Sequence, residues 1–288
     1  MQEKVKSSVV AVIWSFNPNI RRFMKVLQSA VTQVNHVIVV DNGSNNVDQV
    51  RKICNNFKNV TLIETGRNLG VRALNIGMKE AVAKFKPDFI LLLDDDTILY
   101  PGAIAICMNT LSNSRFRDLI GVLCLSPWTQ AKGEGQIVIF QRGGILSGNL
   151  IRSELVKSGF MLREDFFLDQ ADFDFYEEIR RSGFITALYN KKLINHKLGI
   201  LLPTLRIRLP LIGKINVYEP LWRYYYIVRN STVLLIEGKL DIAFYLVQLL
   251  RLAFPLLLVD GFLKTFKVFI LGLTHGIFRK LGILIHKI

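Results

Sequence analysis

A chain of 288 residues, half of them apolar, is long enough to bury one large α/β core with an appendage and too apolar for a disordered polymer. Its 37 Lys and Arg against 23 Asp and Glu leave +14, which draws it toward phosphorylated substrates, an anionic membrane surface or nucleic acid. Cys54, Cys107 and Cys124 lie far apart with no CxxC spacing, which argues against a disulfide framework or a cysteine zinc site. A reduced, cytoplasmic setting is therefore expected, and the short apolar run 9–13 after Met-Gln-Glu-Lys-Val-Lys has neither the length nor the cleavage pattern of a signal peptide.

In chain order the first half alternates β-rich runs with helical patterns. Strands are predicted over 8–14, 36–41, 60–64 and 89–93, with helices over 19–32, 46–57 and 71–85 between them. This alternation predicts βαβ units and a mostly parallel sheet covered by helices on both faces. Ligands of such sheets bind beyond the carboxyl ends of the strands. Polar clusters stand at those ends: Ser15 to Pro18, Asp41 to Ser44, Gly66 to Gly70, and Asp94 to Thr97. Residues 119–125 and 137–140 read as further strands, and Gly143-Gly144 breaks the chain before Ile145 to Asn149. An acidic helix follows around Asp169 to Arg181, with Gly183 as its stop and Asp172 at or near its N-terminus, where a carboxylate can cap.

The run Leu91-Leu92-Leu93-Asp94-Asp95-Asp96-Thr97 carries the strongest chemical signal. Three adjacent carboxylates at the tip of an apolar strand repel one another and resist desolvation, so the cluster calls for a cation, most simply a divalent metal. Hard oxygen ligands suit Mg²⁺ or Mn²⁺, whose shells substrate phosphates usually complete. Without such an ion the cluster would be a solvated strand-to-loop corner.

Four ordered clusters make the chain resemble inverting glycosyltransferases of family 2 with the GT-A fold, in particular their rhamnosyltransferase-like and galactofuranosyltransferase-like branch. They are Trp14 to Pro18, Val39 to Ser44, Asn68-Leu69-Gly70 with Asn75-Ile76-Gly77, and Asp94-Asp95-Asp96 before Pro101; Asp169 to Gly183 and His196 complete the match over residues 9–199. The segment Trp222 to Asn230 also resembles one that recurs beyond the catalytic domain in that branch. The resemblance implies a GT-A catalytic domain over residues 1–200 and a nucleoside-diphosphate sugar donor, dTDP-rhamnose or a UDP-sugar. It assigns Asp41 to the base, Asp95 to the ribose, and Ser15, Asn68, Gly70 and Asn75 to the rest of the donor site. Asp94 and Asp96 become the metal-binding DxD pair and His196 a third ligand, suited to Mn²⁺. Asp172 falls in the general-base position, with Asp169 and Asp174 as rivals; Ser147, Gly148, Asn149 and Asp169 fall on the acceptor side. Two positions depart from the pattern. Arg72 replaces a small or apolar residue and is expected to reach the donor diphosphate, and Asp95 stands where many rhamnosyltransferase-like members have Gln.

From residue 197 onward 13 Lys and Arg face 4 Asp and Glu, interleaved with Leu, Ile and Phe. No apolar run there reaches the roughly 20 uninterrupted residues of a spanning helix. Residues 242–259 come nearest, interrupted by Arg251 and Pro255. Residues 201–288 are thus predicted to form basic amphipathic helices that hold the enzyme on the cytoplasmic face of a membrane, or that pack on a partner subunit. The acceptor implied is a growing glycan on a lipid carrier. Competing readings are a non-catalytic membrane-surface or polyanion-binding protein, although no nucleic-acid module is recognisable, and a haloacid-dehalogenase-like phosphatase, whose nucleophile motif Asp94 to Ile98 nearly spells at the wrong place in the strand order.

Overall fold

The computed structural model describes residues 7–125, 135–139, 145–196, 199–201, 207–209, 213–215 and 217–284; Phe140, Gly143, Gly144 and Lys287 lie outside these. Two compact units result, one from residues 1–162 and 175–197, the other from 163–174 and 198–288.

The first unit is built around an eight-stranded sheet. Its N-terminal half runs β1 (Val9–Ser15), α1 (Ile20–Val31), β2 (His36–Asp41), α2 (Val47–Cys54), β3 (Val60–Glu64), α3 (Arg72–Glu80) and β4 (Phe89–Asp94). Then come β5 (Ile98–Leu99), α4 (Ala103–Ser112), β6 (Ile120–Cys124), β7 (Ile137–Ile139), β8 (Asn149–Arg152), α5 (Ser153–Lys157), α6 (Ala171–Arg181), β9 (Ile185–Tyr189) and β10 (Ile194–Asn195). The strand order is β3-β2-β1-β4-β8-β6-β9-β7. β1 through β4 are mutually parallel, whereas β8 enters antiparallel between β4 and β6. The α/β class and the mostly parallel sheet read from sequence are what the chain adopts.

Local chemistry explains these elements. Val9 to Ile13 are buried on both sides of the sheet, as expected of a continuous apolar strand between helix layers. In α1, Phe23, Val26, Leu27 and Ala30 form the buried stripe, and the Asn19 side chain caps the helix by accepting the Arg22 N–H at 3.1 Å. The helix predicted over 71–85 is α-helical only to Glu80; Ala81–Phe85 is a π-helical turn ended by left-handed Lys86. Pro87 explains why the helical path ends at Lys86, because the residue before a proline is disfavoured in the right-handed helical region. Gly183 takes φ +91°, and its N–H donates to the Arg180 carbonyl at 3.0 Å, so the acidic helix stops where the sequence placed its end.

Gly77 permits the close approach of α3 to the sheet. A Cβ there would lie 2.4 Å from Val12 Cγ1 and 2.9 Å from Val40 Cγ2. Gly77→Ala is accordingly expected to destabilise the first unit by about 1–3 kcal/mol through overpacking. A lowered denaturant midpoint at unchanged slope would show it, and an unchanged midpoint would refute it.

The second unit joins residues 163–174 to α7 (Leu221–Ile236), α8 (Ile242–Val259) and α9 (Gly261–Ile277). Two short antiparallel ladders precede the helices, Ile200–Leu201 with Val217–Tyr218 and Ile207–Leu209 with Gly213–Ile215. Its core contains Tyr224, Tyr225, Tyr226, Leu256 and Val268. Arg229 is only 1 % exposed in α7, a position that requires full satisfaction of its guanidinium. The Gly282 and Phe166 carbonyls accept from it at 2.7 and 2.8 Å, Asn230 Oδ1 at 2.8 Å, and the Tyr226 ring lies 4.9 Å away. Among the described residues α8 alone is long and apolar enough to cross a membrane.

Candidate functional site

Three neighbouring strands of the first unit end in polar residues. Parallel register pairs Ser15 with Asp41 and Trp14 with Asp94, so the tips of β2, β1 and β4 stand side by side, each strand about 4.8 Å from the next.

Beyond β4 the carboxylate triplet turns, and the Asp94 carbonyl accepts from Thr97 N–H at 3.1 Å. The two-residue ladder of β5 with β10, Ile194 opposite Leu99 and Asn195 opposite Ile98, then delivers His196 to the triplet across a hundred residues of sequence. Its Nδ1 lies 2.7 Å from Thr97 Oγ1 and 3.0 Å from Asp96 Oδ1, and its Nε2 is 3.9 Å from Asp94 Oδ2. Ligand atoms of Asp94, Asp96 and His196 all fall within 4.8 Å of one another. Two carboxylates and an imidazole in that span fit a divalent ion, and the imidazole favours Mn²⁺ over Mg²⁺. Burial lowers the proton affinity of His196, but the Asp96 hydrogen bond and the charges of Asp94 and Asp96 outweigh it and raise its pKa.

Asp95 turns the other way, toward the end of β1, where it accepts the Phe16 N–H at 3.0 Å. Burial pushes its pKa up to about 7 against that hydrogen bond, with the charges of Asp94, Asp96 and Asp41 adding to the rise. So much negative charge at one strand tip is the electrostatic counterpart of a cation site.

Asp41 is 1 % exposed. Its Oδ1 accepts the N–H groups of Gly43 and Ser44 at 3.2 and 2.9 Å, whereas its Oδ2 and the nearby Ser15 Oγ are buried without a hydrogen-bond partner among the described residues. Buried polar atoms are rarely left unmatched, so this pair suits a ligand offering N–H or O–H donors. Asn68 instead shapes its own loop: its Oδ1 accepts from Asn42 Nδ2 and from Gly70 N–H, each at 2.9 Å. Asn75 is buried, and the Leu162 backbone engages both ends of its amide at 2.8 and 3.0 Å. Arg72 opens α3 and is exposed.

Ser147 and Gly148 support the triplet. Ser147 Oγ accepts Asp94 N–H at 2.8 Å and lies 2.6 Å from Thr97 Oγ1, while Gly148 N–H donates to the Leu92 carbonyl at 2.7 Å. Asn149 Nδ2 donates to the Ile145 carbonyl at 2.9 Å and to the Tyr176 hydroxyl. Thr97, the last residue of that strand-tip run, joins Ser147 to His196, and one contributor carried no sequence signal: Arg22, whose guanidinium donates to the Asp96 carbonyl at 2.7 Å and the Asn195 carbonyl at 3.0 Å. Arg22 lies 74 residues from one partner and 173 from the other, beyond the reach of any local motif.

Asp169 and Asp172 belong to the second unit. Asp169 forms a two-pronged ion pair with Arg223, at 2.6 and 3.2 Å. Asp172 lies in the first turn of α6, is half-buried, and accepts the Phe173 N–H at 2.9 Å. Burial raises its pKa to about 7; the Phe173 N–H opposes the rise, Asp169 adds to it and Arg223 opposes it.

Comparison with known proteins bears on the fold and the family. Over 257 residues the chain is 23 % identical to the dTDP-rhamnosyl transferase RfbF of Shigella flexneri, covering 80 % of this chain and 81 % of that one. In fold it is similar to residues 1–349 of TarS from S. aureus, with a TM-score of 0.59 at 13 % identity over 93 % of this chain and 80 % of that one. It is likewise similar to GalNAc-T7, solved with UDP, GalNAc and Mn²⁺, with a TM-score of 0.55 at 13 % identity over 67 % and 44 % of the two chains. The model of the family Glycosyl transferase family 2 matches residues 10–164, more than half of the sequence, and the chain belongs to that family of glycosyltransferases.

Proposed function

We propose that this glycosyltransferase moves a sugar, rhamnose in the first instance, from a nucleoside diphosphate to a hydroxyl of a growing, lipid-linked glycan with inversion at the anomeric carbon. The observation that carries this reading is the Asp94, Asp96 and His196 cluster beyond the tip of β4, one strand from the orphaned Ser15 Oγ and two strands from the orphaned Asp41 Oδ2. The named relative, a dTDP-rhamnosyl transferase, favours the rhamnose donor. Asp41 Oδ2 accepts the ring N–H of thymine or uracil and Asp95 a ribose hydroxyl. Asp94, Asp96 and His196 would hold a divalent ion, which would supply charge neutralisation for the departing diphosphate. Asp172 takes the proton of the acceptor hydroxyl as its oxygen forms the new bond to the anomeric carbon, while the bond from that carbon to the diphosphate oxygen breaks. Its raised pKa, about 7, suits a base that works near neutrality. Incubation with dTDP-rhamnose, UDP-galactofuranose and UDP-glucose in Mn²⁺ is expected to release a nucleoside diphosphate from at least one of them. Release from none would end the proposal.

The surface partner proposed is an anionic bilayer. At the corner of α8 and α9, Leu257, Leu258, Val259, Phe262, Leu263 and Phe266 are exposed, Leu263 by 80 %, with Lys264 and Lys267 beside them. Six Lys and Arg but only Asp260 among the acids follow residue 241, and Asp260 already accepts from the Tyr218 hydroxyl at 2.7 Å. A second copy would bring like charge against this face, whereas anionic headgroups complement it. α8 is held along one side, for Tyr245 lies 2.8 Å from Thr232 on α7, which favours lying on the bilayer over crossing it. Co-sedimentation is expected with phosphatidylcholine–phosphatidylglycerol vesicles and not with phosphatidylcholine alone, with the double variant Leu263→Glu, Phe266→Glu losing it. Equal sedimentation of the variant, or self-association in place of vesicle binding, would refute the surface.

A further inference from the structure

The segment that leads into α6 has an unusual backbone. Phe167, Asp169 and Gln170 take φ of +62°, +55° and +62°, three non-glycine residues in the left-handed region within four positions. Such conformations persist only where the surroundings over-determine them, and they concentrate at working sites.

One face of α7 does the holding. The Asn230 side-chain amide donates to three carbonyls of the segment, those of Phe166, Leu168 and Asp169, at 3.1, 2.7 and 2.9 Å. Arg223, two turns earlier, grips the Asp169 carboxylate with a two-pronged contact and donates also to Glu219 at 3.0 Å. Between them in sequence, the Tyr226 ring packs 5.4 Å from that of Phe167. Positions 223, 226 and 230 share a helical stripe. On the far side of Asp172, the Asp174 carboxylate accepts from Lys239 at 2.7 Å, just past the end of α7, and Phe173 packs on Phe244 of α8 at 5.9 Å. Asp172 is thus bracketed by two charge-assisted anchors, one at Asp169 and one at Asp174.

We propose that Arg223 and Asn230 are positioning residues of the transfer reaction: they lock Phe166 to Gln170 in its left-handed path and so fix where the Asp172 carboxylate stands at the start of α6. The inference rests on the reading of Asp172 as the general base. It gives the buried polar face of α7 a purpose, because an amide shared among three carbonyls of one four-residue stretch fixes a backbone path that apolar packing would leave free to relax. The charged groups bearing on Asp172 are Asp169 and Arg223, with Glu219 acting through Arg223 and Asp174 neutralised by Lys239.

The test uses the full chain and whichever of dTDP-rhamnose, UDP-galactofuranose and UDP-glucose the wild type turns over. Asn230→Ala is expected to lower kcat on the order of 10²-fold, the cost of an ångström-scale misplacement, with donor KM within about twofold. Arg223→Gln should move the acid limb of the kcat profile to higher pH and Asp169→Asn to lower pH, opposite displacements that a merely structural role would not produce; Arg223→Lys should restore the limb in part. Amide exchange over residues 166–171 should accelerate in Asn230→Ala, a readout that needs no substrate and is interpretable beside the melting temperature. An unchanged kcat, a donor KM that rises in step with the loss, or unchanged exchange would overturn the inference. Retained turnover in Asp172→Asn would instead sink the base assignment; its abolition, with Asn230→Ala fully active, would sink the positioning role alone.

Discussion

Asp172→Asn is expected to lower transfer by about 10²–10⁴-fold, the usual contribution of a positioned general base, while the affinity for the nucleoside-diphosphate donor stays as in the wild type. The amide keeps the size and the hydrogen-bonding outline of the carboxylate but cannot take a proton, so the loss should appear in kcat and not in donor binding. A carboxylate serves as a base only in its ionised form. With its pKa raised by burial to about 7, kcat should fall as pH drops through that value and level off above it. Stability runs the opposite way. A carboxyl whose folded pKa exceeds its unfolded value binds its proton more tightly in the folded chain, so its contribution is full below the unfolded pKa of about 3.9 and is lost as pH rises through about 7. Asp172→Asn lacks that term, and wild type should therefore lose stability relative to it between pH 4 and 8. Near wild-type turnover in the variant, or a flat profile across neutrality, would end the assignment.

The second large effect concerns the cation. Stripping divalent ions with a chelator, or changing Asp96→Ala, is expected to cost about 10²–10³-fold in turnover, corresponding to the several kcal/mol of charge neutralisation such an ion supplies to a departing diphosphate. His196→Ala should cost less and should narrow the preference for Mn²⁺ over Mg²⁺, since imidazole suits the former and two carboxylates suit either. Turnover measured in Mn²⁺ and Mg²⁺ titrations after chelation reads both effects. Full wild-type activity in excess chelator would refute the metal role of the cluster.

Residues whose chemistry was visible in sequence differ in kind from those the tertiary structure revealed. The alternation of β1, α1, β2, α2, β3, α3 and β4 was legible because each element carries its own pattern: continuous apolar runs for buried parallel strands, a 3.6-residue stripe such as Phe23, Val26, Leu27 and Ala30 for a helix. The stop at Gly183 was legible for the same reason, a local conformational demand met by one residue type. β8 was not. Only Leu150 and Ile151 of its four residues are apolar, too short a run to carry a strand pattern, and only pairing with β4 on one side and β6 on the other makes the segment an antiparallel strand in the middle of the sheet.

At the candidate site the same division holds. Asp94, Asp95 and Asp96 announce themselves because adjacent carboxylates at the tip of an apolar strand are electrostatically costly without a counter-charge. Asn68 and Asn75, placed in the donor site by resemblance, have their amides bound to the backbone and side chains of their own surroundings, which no motif discloses.

By itself, then, the chain's order of residues determined the α/β layering, the four strand-tip clusters and the acidic helix, all set by interactions within a few residues. Tertiary structure alone decided that a two-residue ladder brings His196 beside Asp96, that Arg22 ties that loop to Asn195, and that Arg229 and Asn230 are buried against carbonyls more than sixty residues away in the case of Phe166. Those contacts join positions 63 to 173 residues apart, and nothing in local propensity encodes a partner at that separation; it is fixed only when the sheet order and helix packing close the chain on itself.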